Sequence, residues 1–211
     1  CARWASRMCV FALNNSSQLM LQRLFAQWVY GGALAGILLL LLSPLLLVGW
    51  PEPLAASFLL LPAYMLHQYE EHDRDRFRLF FNQTIGRGYE VLSPLAVFIT
   101  NVPGVWGVIA VSLYAATLLN LGWALIAVYL VLINALVHIV HAIVFRRYNP
   151  GLITAVTVFL PLGSGTLWLI DRAGGGSTSS HLVGLFSAIA IHAAILLHVR
   201  RQLRLLQQAQ A

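Results

Sequence analysis

Ala33-Leu-Ala-Gly-Ile-Leu-Leu-Leu-Leu-Leu-Ser-Pro-Leu-Leu-Leu-Val48 carries no charge, and its one side-chain hydroxyl belongs to Ser43. Such a run is solvated better by hydrocarbon than by water, and it is not isolated: Leu121–Val131 repeats it. Across the 211 residues 59% are hydrophobic and 9% charged, with a mean hydropathy of +0.78. A soluble domain carries about 25% charged residues to cover its surface. Here that cover is missing, so lipid must face most of the outside. At about 20 residues per crossing the chain predicts an all-α, polytopic transmembrane bundle of six spans, one domain over 1–211. The spans read roughly as 25–48, 54–73, 91–118, 122–145, 151–170 and 182–199.

Pro and Gly punctuate these spans. Pro51 and Pro53 fall in the first loop, Pro150 and Gly151 before the fifth span, and Gly174–Gly176 before the sixth. Pro94 and Pro103 lie within the long third span, which is therefore expected to bend or break where protein covers it. The chain starts at Cys1 rather than Met, which leaves room for an upstream segment. Its first apolar run is too long and too late for a signal peptide and reads as a retained span. Cys1 and Cys9 form no metal-binding pair by spacing.

The basic balance comes from 13 Arg, without any Lys. All but Arg172 fall on one side of the predicted layout: Arg3, Arg7 and Arg23; Arg74, Arg76, Arg78 and Arg87; Arg146 and Arg147; Arg200, Arg201 and Arg204. Excess Arg marks the cytoplasmic face, so both termini are expected there. The same placement argues against nucleic acid as a partner and for topology signals, with an anionic headgroup site as a second use. Trp28, Tyr30, Trp50 and Trp168 read as an aromatic belt. No internal repeat suggests a transporter built on inverted halves.

The residues that lipid should forbid carry the functional signal. The second span ends in His67-Gln68-Tyr69-Glu70-Glu71-His72. At about 100° per residue, His67, Glu70 and Glu71 share one face while His72 points away. The fourth span carries Asn134, His138 and His141 in one narrow stripe, the third carries Asn101 and the sixth His192. Counted from the nearest Arg or Glu, His67, His138, His192 and Asn101 lie within about 10–17 Å of the cytoplasmic boundary. Buried ionisable groups in a membrane are rare and usually functional. The competing reading is a structural network, with Glu71 paired to Arg74 or Arg147 and His138 bonded to Asn134. His72 and His198 are expected to be solvated, and His181 has no assigned role.

His67-Gln-Tyr-Glu70-Glu71 resembles the signature of the HXXEE domain family of bacterial integral membrane proteins. Arg76-Phe77-Arg78, Phe81-Asn82, Ile99-Thr100-Asn101-Val102-Pro103 and Arg147-Tyr148-Asn149-Pro150-Gly151-Leu152 with Thr154-Ala155 extend the resemblance over roughly residues 55–200. It departs at Asn134-x3-His138-x2-His141, where a His-x3-His pair is expected. The resemblance implies a polar site inside the inner membrane rather than a particular reaction.

The residues themselves suit a divalent transition metal, zinc as first choice and iron as the alternative. His67, Glu70, Glu71, His138, His141 and His192 are the candidate ligands. In the hydrolase reading Glu70 is the general base on a water acidified by zinc, as in the inverted zinc-protease pattern. Asn101 and Asn134 then orient ligands or polarise a carbonyl. Two irons bridged by a carboxylate would instead oxidise an alkyl or polyene chain, although the bundle Glu-x-x-His spacing is reversed here. A metal-ion transporter or sensor needs polar steps across the whole bilayer, and the outer halves offer few. The expected substrate is a membrane lipid or lipid-borne molecule, with Arg76, Arg78, Arg146 and Arg147 around its headgroup. The oligomeric state is left open by the sequence.

Overall fold

The computed structural model describes the backbone of residues 2–209 and side chains from residue 19 onward. The described residues contain helices, turns and loops and no strand. In chain order the helices are α1 (Ala2–Leu46), α2 (Glu52–His72), α3 (Arg76–Thr84), α4 (Pro94–Ile99), α5 (Gly107–Leu118), α6 (Leu125–Phe145), α7 (Leu152–Thr154), α8 (Leu160–Arg172) and α9 (Thr178–Gln208). Two π-helical turns, Thr100–Trp106 and Ala155–Phe159, join α4 to α5 and α7 to α8. The third and fifth expected spans are thus continuous helical rods with a widened turn. In the third, the turn forms around Pro103, which lacks an N–H and cannot keep the regular ladder.

Among the described residues five stretches are long and apolar enough to cross a membrane: Leu19–Leu46, Pro94–Leu118, Leu121–Phe145, Leu152–Arg172 and Thr178–Gln208. The sixth expected crossing, α2, is not among them. Its 21 residues extend about 31 Å, long enough to span, but its last turn is polar. It is compensated by position: α2 packs against α1, α5, α6 and α8. It buries residues around its whole circumference, from Leu60 and Tyr64 to His67, Gln68, Glu71 and His72. A helix enclosed by protein can carry polar groups that a lipid-facing one cannot.

Local chemistry sets the ends of these rods. Pro53 occupies the first turn of α2, where its missing N–H costs nothing. Arg74 and Asp75 adopt left-handed backbone and break the chain between α2 and α3. Ser93, Asn120 and Ser177 each accept a hydrogen bond from a backbone N–H just inside the following helix. The Asn82 amide accepts from Leu92 N–H at 2.9 Å and donates to Leu92 C=O at 3.0 Å, pinning the 85–92 loop to α3. The bundle interior has two apolar cores. One surrounds Leu60, Val128, Val131 and Phe159; the other, at the Arg-rich end, contains Trp28, Phe81, Leu92 and Val199.

Candidate metal centre

His67 and Glu71, one turn apart on α2, meet His138 of α6 in the bundle interior, all three buried. One donor atom from each lies within 4.8 Å of the others. His67 Nε2 is 3.7 Å from Glu71 Oε2, and His138 Nε2 is 3.6 Å from Glu71 Oε1. Ligand atoms about 2.05 Å from a tetrahedral zinc are about 3.3 Å apart, so small side-chain shifts would close the set on one ion.

Hydrogen bonds at the far side of each ring decide what these nitrogens offer. Thr154 Oγ1 donates to Glu70 Oε2 at 2.5 Å and lies 2.8 Å from His67 Nδ1. With its single proton given to the carboxylate, the hydroxyl must accept from His67 Nδ1–H. His67 Nε2 then carries a lone pair, and it has no hydrogen-bond partner among the described residues. On His138, Nδ1 is 2.6 Å from Asn149 Oδ1, while Asn149 Nδ2 donates to the His138 carbonyl at 2.9 Å. Turning the Asn149 amide over would set oxygen against that carbonyl, so this assignment is the one that pairs donors with acceptors. His138 Nε2 is therefore also a bare lone pair. Two imidazole lone pairs facing one carboxylate repel unless a cation lies between them. This is the second-shell pattern that orients metal-binding histidines.

The loop from α6 to α7 makes this possible. Arg146 ends α6 in left-handed backbone, and Asn149-Pro150-Gly151 turns the chain back over the two rings. Gly151, at φ +98°, has no side chain because none fits. A Cβ there would lie 2.6 Å from His138 Cε1 and 2.9 Å from His67 Cε1. Phe159, in the second π turn, packs on the His67 ring at 4.3 Å between centroids.

Glu70 faces away from the His67–Glu71–His138 group. Its carboxylate accepts from Tyr148 Oη (2.8 Å), Ile153 N–H (3.1 Å), Thr154 N–H (2.7 Å) and Thr154 Oγ1 (2.5 Å). Burial and the bond to Glu70 push the Tyr148 hydroxyl up to about 12, keeping it a donor. Asn101 joins Gln68 and Trp106 instead. Gln68 Nε2 donates to Asn101 Oδ1 at 2.9 Å, and Trp106 Nε1 donates to Gln68 Oε1 at 2.6 Å. Asn134, His141 and His192 line a cavity of about 380 Å³ beside the centre, together with Glu71, His72, His138 and many apolar side chains. They lie outside the three-residue group.

Two pairings of the competing structural reading and one expectation are corrected. Glu71 meets His67, His72 and His138 rather than Arg74 or Arg147, and His138 bonds Asn149 rather than Asn134. His72 is buried, not solvated. It packs against Trp28 and Phe77 with Nε2 3.2 Å from Glu71 Oε2, because α1 covers the side of α2 that a one-sided helix would show to lipid. The Arg cluster is largely occupied. Arg76 pairs with Asp73, Arg78 with Asp75 and Glu90, and Arg147 bonds Thr84 and stacks on Phe80. Thr154, Asn149 and Gly151 appear in the sequence only as part of a turn-like string.

The family model described as "Protein of unknown function with HXXEE motif" matches residues 58–166, and the chain belongs to that family. The matched segment includes all three grouped residues together with Glu70, Asn149, Gly151 and Thr154. No curated protein and no solved structure matches the chain.

Proposed function

We propose that this HXXEE-family protein is a metal-dependent enzyme of the cytoplasmic membrane, its His67, Glu71 and His138 holding one divalent ion, zinc before iron. The observation that carries the reading is the pair of Nε2 lone pairs, fixed by Thr154 and Asn149, that converge on the Glu71 carboxylate. Three protein ligands would leave a fourth position open, as catalytic zinc sites do, whereas structural sites close it with a fourth protein ligand. Glu71 and His138 also line a cavity large enough for a substrate. Zinc would supply Lewis acidity and acidify water, which favours hydrolysis of a lipid-borne substrate.

The chain's own groups divide the remaining work. Thr154 and Asn149 hold the two rings in the tautomer that presents Nε2. Glu70 acts through Thr154 as a positioning residue, since its oxygens are directed to the 148–154 segment. His72 packs its Nε2 3.2 Å from Glu71 Oε2 and closes that side of the carboxylate. Asn134 is placed to orient substrate in the cavity. With both termini in the cytoplasm, the centre lies in the inner half of the bilayer, where a lipid can reach it.

Metal identity and count per purified chain test this directly. About one zinc per chain, lost in His138→Ala and Glu71→Ala and kept in His181→Ala, is the expected result. Equal metal content in all of them would remove the assignment.

A further inference from the structure

The cavity beside the centre has a chemistry of its own. Its wall is mostly apolar, with Phe77, Phe81, Val105, Ile133, Val137 and Ile195 among its residues. Its volume of about 380 Å³ equals roughly a dozen water-sized units, enough for one alkyl chain segment and too little for two. Leu136, Val140 and Leu196 belong to the same wall, yet are 51%, 46% and 48% exposed on the outside of the bundle. The 97–105 segment and α9, both in the wall, do not pack along each other. The space therefore communicates sideways with the region that lipid occupies.

The polar part of the wall discriminates among heads. Its charged or titratable members are Tyr64, Glu71, His72, His138, His141 and His192, and it contains no Arg. The nearby Arg76 and Arg78 are committed to carboxylates outside it. In the metal-free protein a phosphate or free carboxylate entering here would meet Glu71 without a permanent cation to offset it. Besides the Tyr64 hydroxyl, which lies by the Asn134 side chain, the wall offers acceptors. Asn134 Oδ1 is buried with no hydrogen-bond partner among the described residues. His192 gives its Nδ1–H to the Ala188 carbonyl at 2.8 Å, which leaves its Nε2 lone pair available on the cavity residue. A buried unpaired acceptor is destabilising, and a ligand hydroxyl or amide N–H would relieve it.

We infer that the cavity binds a neutral, single-chain lipid whose head donates a hydrogen bond, a long-chain alcohol or a hydroxyl-bearing monoester, entering between the 97–105 segment and α9. The inference rests on the metal-centre reading only for the fate of the head; the binding itself needs no ion. Asn134 and His138 are one helical turn apart on α6, so a head held at Asn134 places the adjoining carbon or ester about 5 Å from the Glu71–His138 end.

Photolabelling of the purified full chain in nanodiscs tests this, using a diazirine-bearing hexadecanol, the matching hexadecanoate and a diazirine-bearing phosphatidic acid. The alcohol should label α6 and α9 residues of the cavity wall, and excess unlabelled hexadecanol should protect them. Ile133→Trp should reduce protected labelling about tenfold by filling the space. Asn134→Ala should weaken competition about fivefold, one hydrogen bond's worth. If Ile133→Trp does not fold, Val137→Phe serves the same purpose on the neighbouring wall. Labelling indifferent to competitor and to the filling variants overturns the inference, as does equal protected labelling of the metal-free protein by hexadecanoate or phosphatidic acid. Metal content measured on the same samples keeps the two questions apart. A metal-free protein that still binds the alcohol defeats the enzyme reading alone, and a zinc-loaded one that does not bind it defeats this inference alone.

Discussion

Replacing Thr154 by Val removes one oxygen and keeps the side-chain shape. In the native chain that oxygen accepts from His67 Nδ1–H at 2.8 Å and donates to Glu70 Oε2 at 2.5 Å. Without it, the metal-free His67 can move its proton to Nε2 and turn it towards Glu71 Oε2, now 3.7 Å away. Binding a metal then requires the proton to return to an Nδ1 that has no acceptor in a fully buried ring. Leaving a buried donor unpaired costs about 1–3 kcal/mol, and that cost falls on the bound state alone. It corresponds to a loss of about 5- to 150-fold in affinity, the range seen when outer-shell partners of metal histidines are removed. The assay is competition for zinc against a chromophoric chelator in detergent, with thermal unfolding as a check on the fold. Thr154→Ser retains the hydroxyl and should stay close to the wild type. A folded Thr154→Val that binds zinc within about twofold of wild type would show that Thr154 does not orient His67, since even the weakest unpaired group costs more.

Four further outcomes follow from the same geometry. Gly151→Ala should weaken zinc binding by about 10- to 100-fold in the same assay, because the new Cβ sits 2.6 Å from the His138 ring at φ +98°. Glu70→Gln should weaken binding about as much as Thr154→Val, and the double variant should be no worse than either, since both act on one chain of hydrogen bonds; a base would instead lose turnover and keep its metal. His72→Ala should cost about 1–3 kcal/mol in unfolding experiments, whereas exposed His198→Ala should stay within about 0.5 kcal/mol. In a background lacking Cys1 and Cys9, Ser177→Cys should react with an impermeant thiol reagent from outside intact cells; reaction only after permeabilisation would invert the proposed topology.

The long apolar runs made the helical architecture legible, because their length and hydrophobicity respond to the solvent and not to any partner segment. The sequence also places a span at 54–73, and α2 forms there, although its polar last turn keeps it below the apolar length of the other five and only makes sense once other helices surround it. His67 and Glu71 were placed on one face by periodicity alone, and the structure brings that face to His138. His72 was misread for the reciprocal reason. A helical wheel assigns it to another side of α2, but Trp28 of α1 fills that side and buries it against Glu71.

Depth and direction are separate coordinates, and the sequence carries mainly the first. Distances from the Arg clusters put Asn101, His138 and His192 at one level, but rotation about each helix decides what they meet. Asn101 turns to Gln68 and His192 to the cavity, while His138 alone turns fully towards Glu71. The supporting residues come from the 148–154 segment, 78 to 84 positions from Glu70 in the chain. No local pattern can reveal that Thr154 reaches a glutamate and a histidine at once. Yet that contact supplies the chemical meaning of the motif: Glu71 faces inward with His67, whereas Glu70 holds the back of the same ring through Thr154. Two adjacent carboxylates in a membrane span thus avoid sharing one site, because the helix turns them about 100° apart and hydrogen-bond donors meet only the outer one.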